Sequence, residues 1–241
     1  MGPLAYVCVR PQKGAAAGEF ASFRAAMRRD DLAQIDLVHQ ALPDDVFERY
    51  TGFVVGGSPF NVTDPRSSKT EVQLRLEADL ERIAERAADG RTAALFTCYG
   101  IGIVTRMLGG QVTRAYPEDT GPTSVTLTDE ADQDPLFGML ADRFTALTAH
   151  KEGAGTAPPS ATLLATNDAC PVQAYRVGDR LYATQFHPEP TGQAFTQRMA
   201  VYRDDGYFAA ADYDAIAARV LASSLSEPTR LLRAFAGRFA G

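Results

Sequence analysis

The chain has 241 residues, 45% hydrophobic and 22% charged, which is enough to bury one sizeable core and is ordinary for a soluble globular protein. A formal net charge of -6 repels polyanions over most of the surface and argues against nucleic-acid binding. The three cysteines (Cys8, Cys98, Cys170) and three histidines lack metal-like spacing, so neither a disulfide scaffold nor a metal or cofactor site is expected; a reduced, cytoplasmic setting fits.

Residues 1–10 carry no charged leader, and their apolar run is too short for a signal or membrane helix, so no membrane association is expected. That run, 4–10, is the first predicted strand; others follow near 34–38, 52–56 and 92–97, each rich in apolar residues and bounded by Gly, Pro or Asp. Helical stretches lie between them, around 18–29, in a short turn near 44–49, and near 68–89, where Leu74, Leu80 and Ile83 alternate with Glu77, Glu81, Arg82 and Glu85. Alternation of strand and helix predicts an α/β fold with right-handed crossovers and a mostly parallel central sheet with helices on both faces.

From about 111 the alternation gives way to strands near 124–128, 162–166, 172–177 and 180–186, with turns at Pro117, Pro122, Pro135, Pro158 and Pro159. This predicts an antiparallel flank. Beyond Pro190, Phe195, Met199, Tyr202, Ile216, Val220, Leu231, Leu232 and Phe235 recur at near-helical spacing. The expected organisation is one domain over 1–190 with a helical C-terminal extension, 191–241, packed on it.

Cys98 stands where the apolar strand Ala93 to Thr97 meets a helix beginning near Tyr99. A cysteine in such a run is often just a small buried hydrophobe. At the carboxyl edge of a parallel sheet, however, it faces the positive end of a helix, where a thiol ionises more readily and where ligands bind in open α/β folds. Gly100 suits the sharp strand-to-helix turn, which leaves no room for side chains beside a nucleophile.

A second strand ends at His187, and Pro188 takes the chain out of the sheet. Residues two apart point to one side, so Glu189 can hold one imidazole nitrogen while the other faces the thiol. Gly56 and Gly57 follow the strand 52–55; they are an ordinary turn, or a peptide N–H directed into the site. Ser58, beside them, has no elbow of its own.

In order and spacing, Gly56-Gly57-Ser58-Pro59, Cys98-Tyr99-Gly100, Ala149-His150-Lys151-Glu152 and Gln185-Phe186-His187-Pro188-Glu189 resemble the motifs of class I (triad) glutamine amidotransferase domains, especially the GMP-synthase-like ones, over about residues 1–190. The resemblance implies that Cys98 attacks a glutamine side-chain amide. His187 would act as base and then acid, and Glu189 as its orienter. Ammonia leaves, and water then resolves a γ-glutamyl thioester.

It also implies an oxyanion hole from Gly57 and Tyr99 and a glutamine pocket involving Gly56, Gly100, Gly102 and the segment around His150, although His150 is equally readable as a polar loop residue. Members of this family usually carry Gly two residues before the nucleophile and Gln four after it; here those places hold Phe96 and Gly102. The missing side chain leaves a γ-glutamyl peptide or another amide as an alternative substrate, and the altered elbow leaves a non-catalytic binding protein on the same fold as another. No phosphate loop or other nucleotide signature is present, so any ammonia acceptor is expected to be a separate synthase subunit.

Overall fold

The computed structural model describes residues 2–240. In chain order the elements are β1 (Leu4–Cys8), α1 (Lys13–Met27), β2 (Ala33–Asp36), α2 (Val46–Arg49), β3 (Gly52–Val55), α3 (Glu71–Ala88), β4 (Ala93–Thr97) and α4 (Tyr99–Met107). They are followed by β5 (Val112–Thr113), β6 (Glu118–Leu127), β7 (Arg143–His150), β8 (Gly153–Ala154), β9 (Ala161–Thr166), β10 (Ala174–Val177) and β11 (Leu181–Thr184). Helices α5 (Gly192–Val201), α6 (Tyr213–Leu221) and α7 (Ser226–Phe239) complete the chain. Among the described residues, no helix is long and apolar enough to cross a membrane.

One nine-stranded sheet runs in the order β2-β1-β3-β4-β11-β10-β9-β6-β7. The first five strands are mutually parallel, and the rest continue antiparallel. Strands β1, β3, β4 and β11 are buried at every position, which is why they read as unbroken apolar runs rather than alternating ones. Alternation still sorts the side chains between faces. Tyr6 and Leu95 join Phe23 and Phe235 beneath α1 and α7, while Val7 and Phe96 join Leu80 and Ile103 beneath α3 and α4.

Local chemistry sets several boundaries. Thr70 caps α3, its hydroxyl accepting the Gln73 N–H at 3.1 Å, and Arg28 closes α1 in the left-handed region. Helix α1 starts at Lys13 rather than near 18, because Ala15 and Ala16 are buried against the sheet despite the neighbouring Gly14 and Gly18.

Strand β7 was not expected, and β6 is longer than its apolar run. Gly121 and Pro122 interrupt the β6 pattern, yet β6 pairs with β7 from Glu118 to Thr126 across a bulge. Pro122 is tolerated because β9 pairs with β6 only at Thr126 and Leu127. Helix α7 packs on α1 and β7, α6 on β6, and α5 on α1 and α6.

Candidate active site

The carboxyl ends of β1, β3, β4 and β11 converge, bringing Arg10, Gly56, Gly57, Cys98 and His187 to one edge of the sheet. Cys98 sits between β4 and α4 with φ 51 and ψ -103, a conformation that only an enforcing surround keeps in a non-glycine residue. Its N–H donates to Thr184 O at 2.8 Å, tying the turn to β11. A methyl on Gly100 would lie 3.0 Å from Phe96 Cβ and 3.1 Å from its Cδ1. The bulky residue at position 96 therefore fits because position 100 has no side chain.

Downstream, Gln185 N–H donates to Gln173 O, and His187 N–H donates to Leu147 O at 2.8 Å, so the chain past β11 leans over toward β7. His187 Nδ1 lies 3.2 Å from Glu189 Oε1, as the two-residue spacing predicts. Glu189 Oε1 also lies 2.8 Å from Arg198 Nη2 on α5. Arg198 Nη1 is 3.4 Å from Glu19 Oε1 on α1, and Arg10 closes the chain of charges with Nη2 2.8 Å from the same oxygen. Tyr6 donates to the other Glu19 oxygen at 2.7 Å.

Every charge in this network is buried, with Glu19 0% and Arg198 7% exposed. Burial opposes charging of His187, but Glu189 and Cys98 outweigh it and push its pKa up to about 9. Burial likewise works against a charged Glu189, and His187 and Arg198 override it, holding the carboxyl well below its usual range. Glu19 is lowered in the same way, by Arg10 and Arg198.

The other two thiols are fully buried; burial pushes Cys8 up and Cys170 up to about 11. Ser58 Oγ donates to Val9 O at 2.7 Å and so is spent on the scaffold.

Two small cavities, of about 20 and 40 Å³, flank Cys98 and share Ser58, Cys98, Ala149 and Tyr207 as walls. Tyr99, Gly102, His150, Glu152 and Gln185 line the first. His187, Arg10, Arg198, Phe195, Met199 and Phe208 line the second.

The remaining sequence candidates fall around these spaces. A methyl on Gly57 would lie 2.8 Å from His187 Cε1, 2.8 Å from Arg10 Nη2 and 3.5 Å from Cys98 Cβ, so this glycine is wedged into the centre of the site. Its N–H donates to Glu19 Oε1 at 3.3 Å. Gly56 carries the Glu19 carboxylate against its backbone, and neither Gly56 nor Gly100 lines either cavity. Tyr99 begins α4, where an N–H has no intrahelical partner, and its hydroxyl donates to Glu77 at 2.8 Å.

His150 walls the first cavity with both ring nitrogens engaged, Nδ1 2.9 Å from Glu152 O and Nε2 2.8 Å from Glu118 Oε2. A side chain at Gly102 would be crowded: Val62 Cγ2 would stand 3.0 Å from a Cβ there, and Val112 Cγ1 3.8 Å.

Sequence reasoning missed Arg10, Glu19 and Arg198. Glu19 had a faint signal, a lone charge between Ala15 and Phe23, and Arg10 stands directly after a buried strand; Arg198 had none. Two groups of possible metal ligands lie close together, Glu19 with His187 and Glu189, and Glu118 with His150 and Cys170. A cation at the first would meet Arg10 and Arg198. At the second, Glu118 already bonds His150, Asn167, Thr123 and Gln173.

The family model described as glutamine amidotransferase class-I matches residues 25–202. The chain belongs to the class I glutamine amidotransferases. Within the family, γ-glutamyl peptidase 3 of Arabidopsis thaliana is 30% identical over 151 residues, covering 59% of this chain and 55% of that relative. The glutamine-hydrolysing GMP synthase of Clostridium perfringens is 35% identical over 103 residues, 42% of this chain and 20% of the relative. The chain thus spans about half or less of these two relatives.

A glutamine-hydrolysing GMP synthase subunit of Methanopyrus kandleri is 29% identical over 149 residues, covering 61% of this chain and 71% of that relative. A solved glutamine amidotransferase from Thermotoga maritima superposes with a TM-score of 0.75 at 17% identity, covering 99% of this chain and 98% of that one, which establishes the shared fold.

Proposed function

We propose that this amidotransferase-family chain is a cysteine amidohydrolase that cleaves the side-chain amide of a γ-glutamyl compound, glutamine being the simplest. The observation that carries the reading is the strained Cys98 turn, set between two cavities and against the His187 and Glu189 pair. His187, its pKa pushed up to about 9, carries the proton that the departing nitrogen needs. Cys98 Sγ attacks the amide carbon, His187 gives its proton to the departing nitrogen, and the C–N bond breaks to leave an acyl thioester. Water, deprotonated by the now neutral imidazole, then releases the acid.

In this reading, Glu189 holds the Nδ1 side of the ring. The Tyr99 N–H stabilises the tetrahedral oxyanion, joined by the Gly57 N–H once its 3.3 Å bond to Glu19 is released. The first cavity takes the acyl half. The direct test is release of ammonia from glutamine, and of p-nitroaniline from γ-glutamyl-p-nitroanilide, by the purified chain and by Cys98→Ala. Equal rates from the two proteins defeat the reading.

One specific observation favours a γ-glutamyl amide larger than glutamine: the likeness to γ-glutamyl peptidase 3. A separate synthase partner that accepts the ammonia is supported by the likeness to GMP synthase subunits. Co-purification from native cells at low salt tests it.

A further inference from the structure

Ser58, Cys98, Ala149 and Tyr207 wall both spaces beside the thiol. A scissile amide must lie at this shared wall, since its carbon meets Sγ there while its acyl and nitrogen halves diverge to either side. Ala149 offers no polar side-chain atom, and the Ser58 hydroxyl is spent on Val9 O. Of these four, only Tyr207 adds a side-chain donor to the thiol.

The Tyr207 carbonyl accepts the Thr120 hydroxyl at 3.2 Å, but among the described residues no hydrogen bond engages its own hydroxyl. Nearby tyrosines differ: Tyr202 donates to Gln12 Oε1 at 3.0 Å, and Tyr213 to Thr196 O at 3.0 Å. A half-buried hydroxyl without a partner, set at a reactive edge, is suited to an acceptor that arrives with a ligand. Burial, and after it the proximity of Cys98, push the Tyr207 pKa above the usual tyrosine value, so at neutral pH the hydroxyl keeps its proton and can donate it.

Size adds a second point. The two spaces, of about 20 and 40 Å³, hold one or a few water-sized groups, since a water needs roughly 10 to 15 Å³ of such room. A γ-glutamyl amide therefore has to displace part of the wall. Ala149 is fixed in β7, and Ser58 and Cys98 are buried. Tyr207 instead lies in a run of turns after α5, where residues 203–206 are exposed and Gly206 takes a φ of +72. Its ties are light: Lys151 Nζ donates to Asp205 O at 2.9 Å and stands 4.4 Å from the centre of the Tyr207 ring. Segments held by a few solvent-exposed bonds open at little cost.

We infer that Tyr207 is a further substrate-contacting residue: its ring moves aside to admit the γ-glutamyl amide, then covers the thiol while its hydroxyl donates to the scissile amide. This rests on the amidohydrolase reading above.

Two variants test it. Tyr207→Phe keeps the ring and removes only the donor, so kcat/KM for glutamine and for γ-glutamyl-p-nitroanilide should fall by about three- to ten-fold, the worth of one neutral hydrogen bond. The thermal midpoint should stay in place, because no bond within the protein is lost. Tyr207→Ala removes the cover. Alkylation of Cys98, located by peptide mass spectrometry, should then accelerate several-fold more with N-phenylmaleimide than with the smaller iodoacetamide.

An unchanged kcat/KM in Tyr207→Phe, or a fall matched by lost stability, would overturn the donor. Equal acceleration with both reagents, or none, would overturn the cover. Alkylation does not depend on turnover, so the cover is judged separately from the chemistry. Cleavage by Cys98→Ala at the wild-type rate, or no cleavage of any amide, would defeat the amidohydrolase reading itself and the donor with it.

Discussion

Arg198 Nη2 stands 2.8 Å from Glu189 Oε1, so a residue of α5 holds the carboxylate that in turn holds His187. The same guanidinium reaches Glu19 on α1, and Arg10 reaches Glu19 from the end of β1. Two arginines and two glutamates thus form a buried, balanced cluster under the imidazole. Each charge is tolerated only because its partners are present.

Removing one partner should therefore be costly. Arg198→Met is expected to destabilise the fold by about 3 kcal/mol, the order found when a buried ion pair loses one member, and to reduce kcat at temperatures where the variant is folded. Denaturant unfolding alongside steady-state kinetics checks both. A fully active variant with an unshifted midpoint would mean that the cluster is dispensable.

Gly57→Ala tests the crowding at the centre. Its methyl would stand 2.8 Å from both His187 Cε1 and Arg10 Nη2, so the imidazole must move. Misplacing a catalytic group by about 1 Å costs on the order of 100-fold in rate. The expected result is such a loss in kcat/KM for any γ-glutamyl amide, far outweighing the change in thermal midpoint.

At position 102 the neighbours argue against simple restoration of the usual side chain. Gly102→Gln alone overpacks against Val62, at a cost of roughly 1 to 3 kcal/mol. Combined with Val62→Ala it should regain most of that stability, and only the double variant should lower KM for glutamine. A lower KM in the single variant would show that Val62 yields freely.

The titration of His187 gives a signed prediction. Its pKa is about 6.5 in an unfolded chain and about 9 in the fold, so the folded protein holds the proton more tightly. The resulting stability is complete below pH about 6.5 and is lost as pH rises through about 9. Wild type should therefore lose more stability than His187→Gln across that interval in parallel melts. Acylation, which needs the proton, should decline with an apparent pKa near 9; a decline centred near 6.5 would place the imidazole outside the influence of Glu189.

Much of this protein was legible in its order of residues because the relevant signals are local. Buried parallel strands must be continuous apolar runs, so β1, β3, β4 and β11 were found within a few residues. Gly100, two residues past Cys98, announced a tight turn. Pro188 ended a strand where His187 and Glu189, two residues apart, could share one side. Strand β7 escaped because its pattern of Thr and Ala carries little hydrophobic period, and it is held by pairing with β6 rather than by its own propensity.

The sequence by itself determined the fold class and brought the triad candidates to strand ends, since hydrophobic period and turn chemistry act over a few residues. Only the tertiary structure decided what surrounds them. Arg10, Glu19 and Arg198 are scattered along the chain and become one charge cluster solely because β1, α1 and α5 pack together. Val62 fills the place beside Gly102, and the aromatic residues from 195 to 208 close a cavity against His187, by contacts that no local spacing encodes.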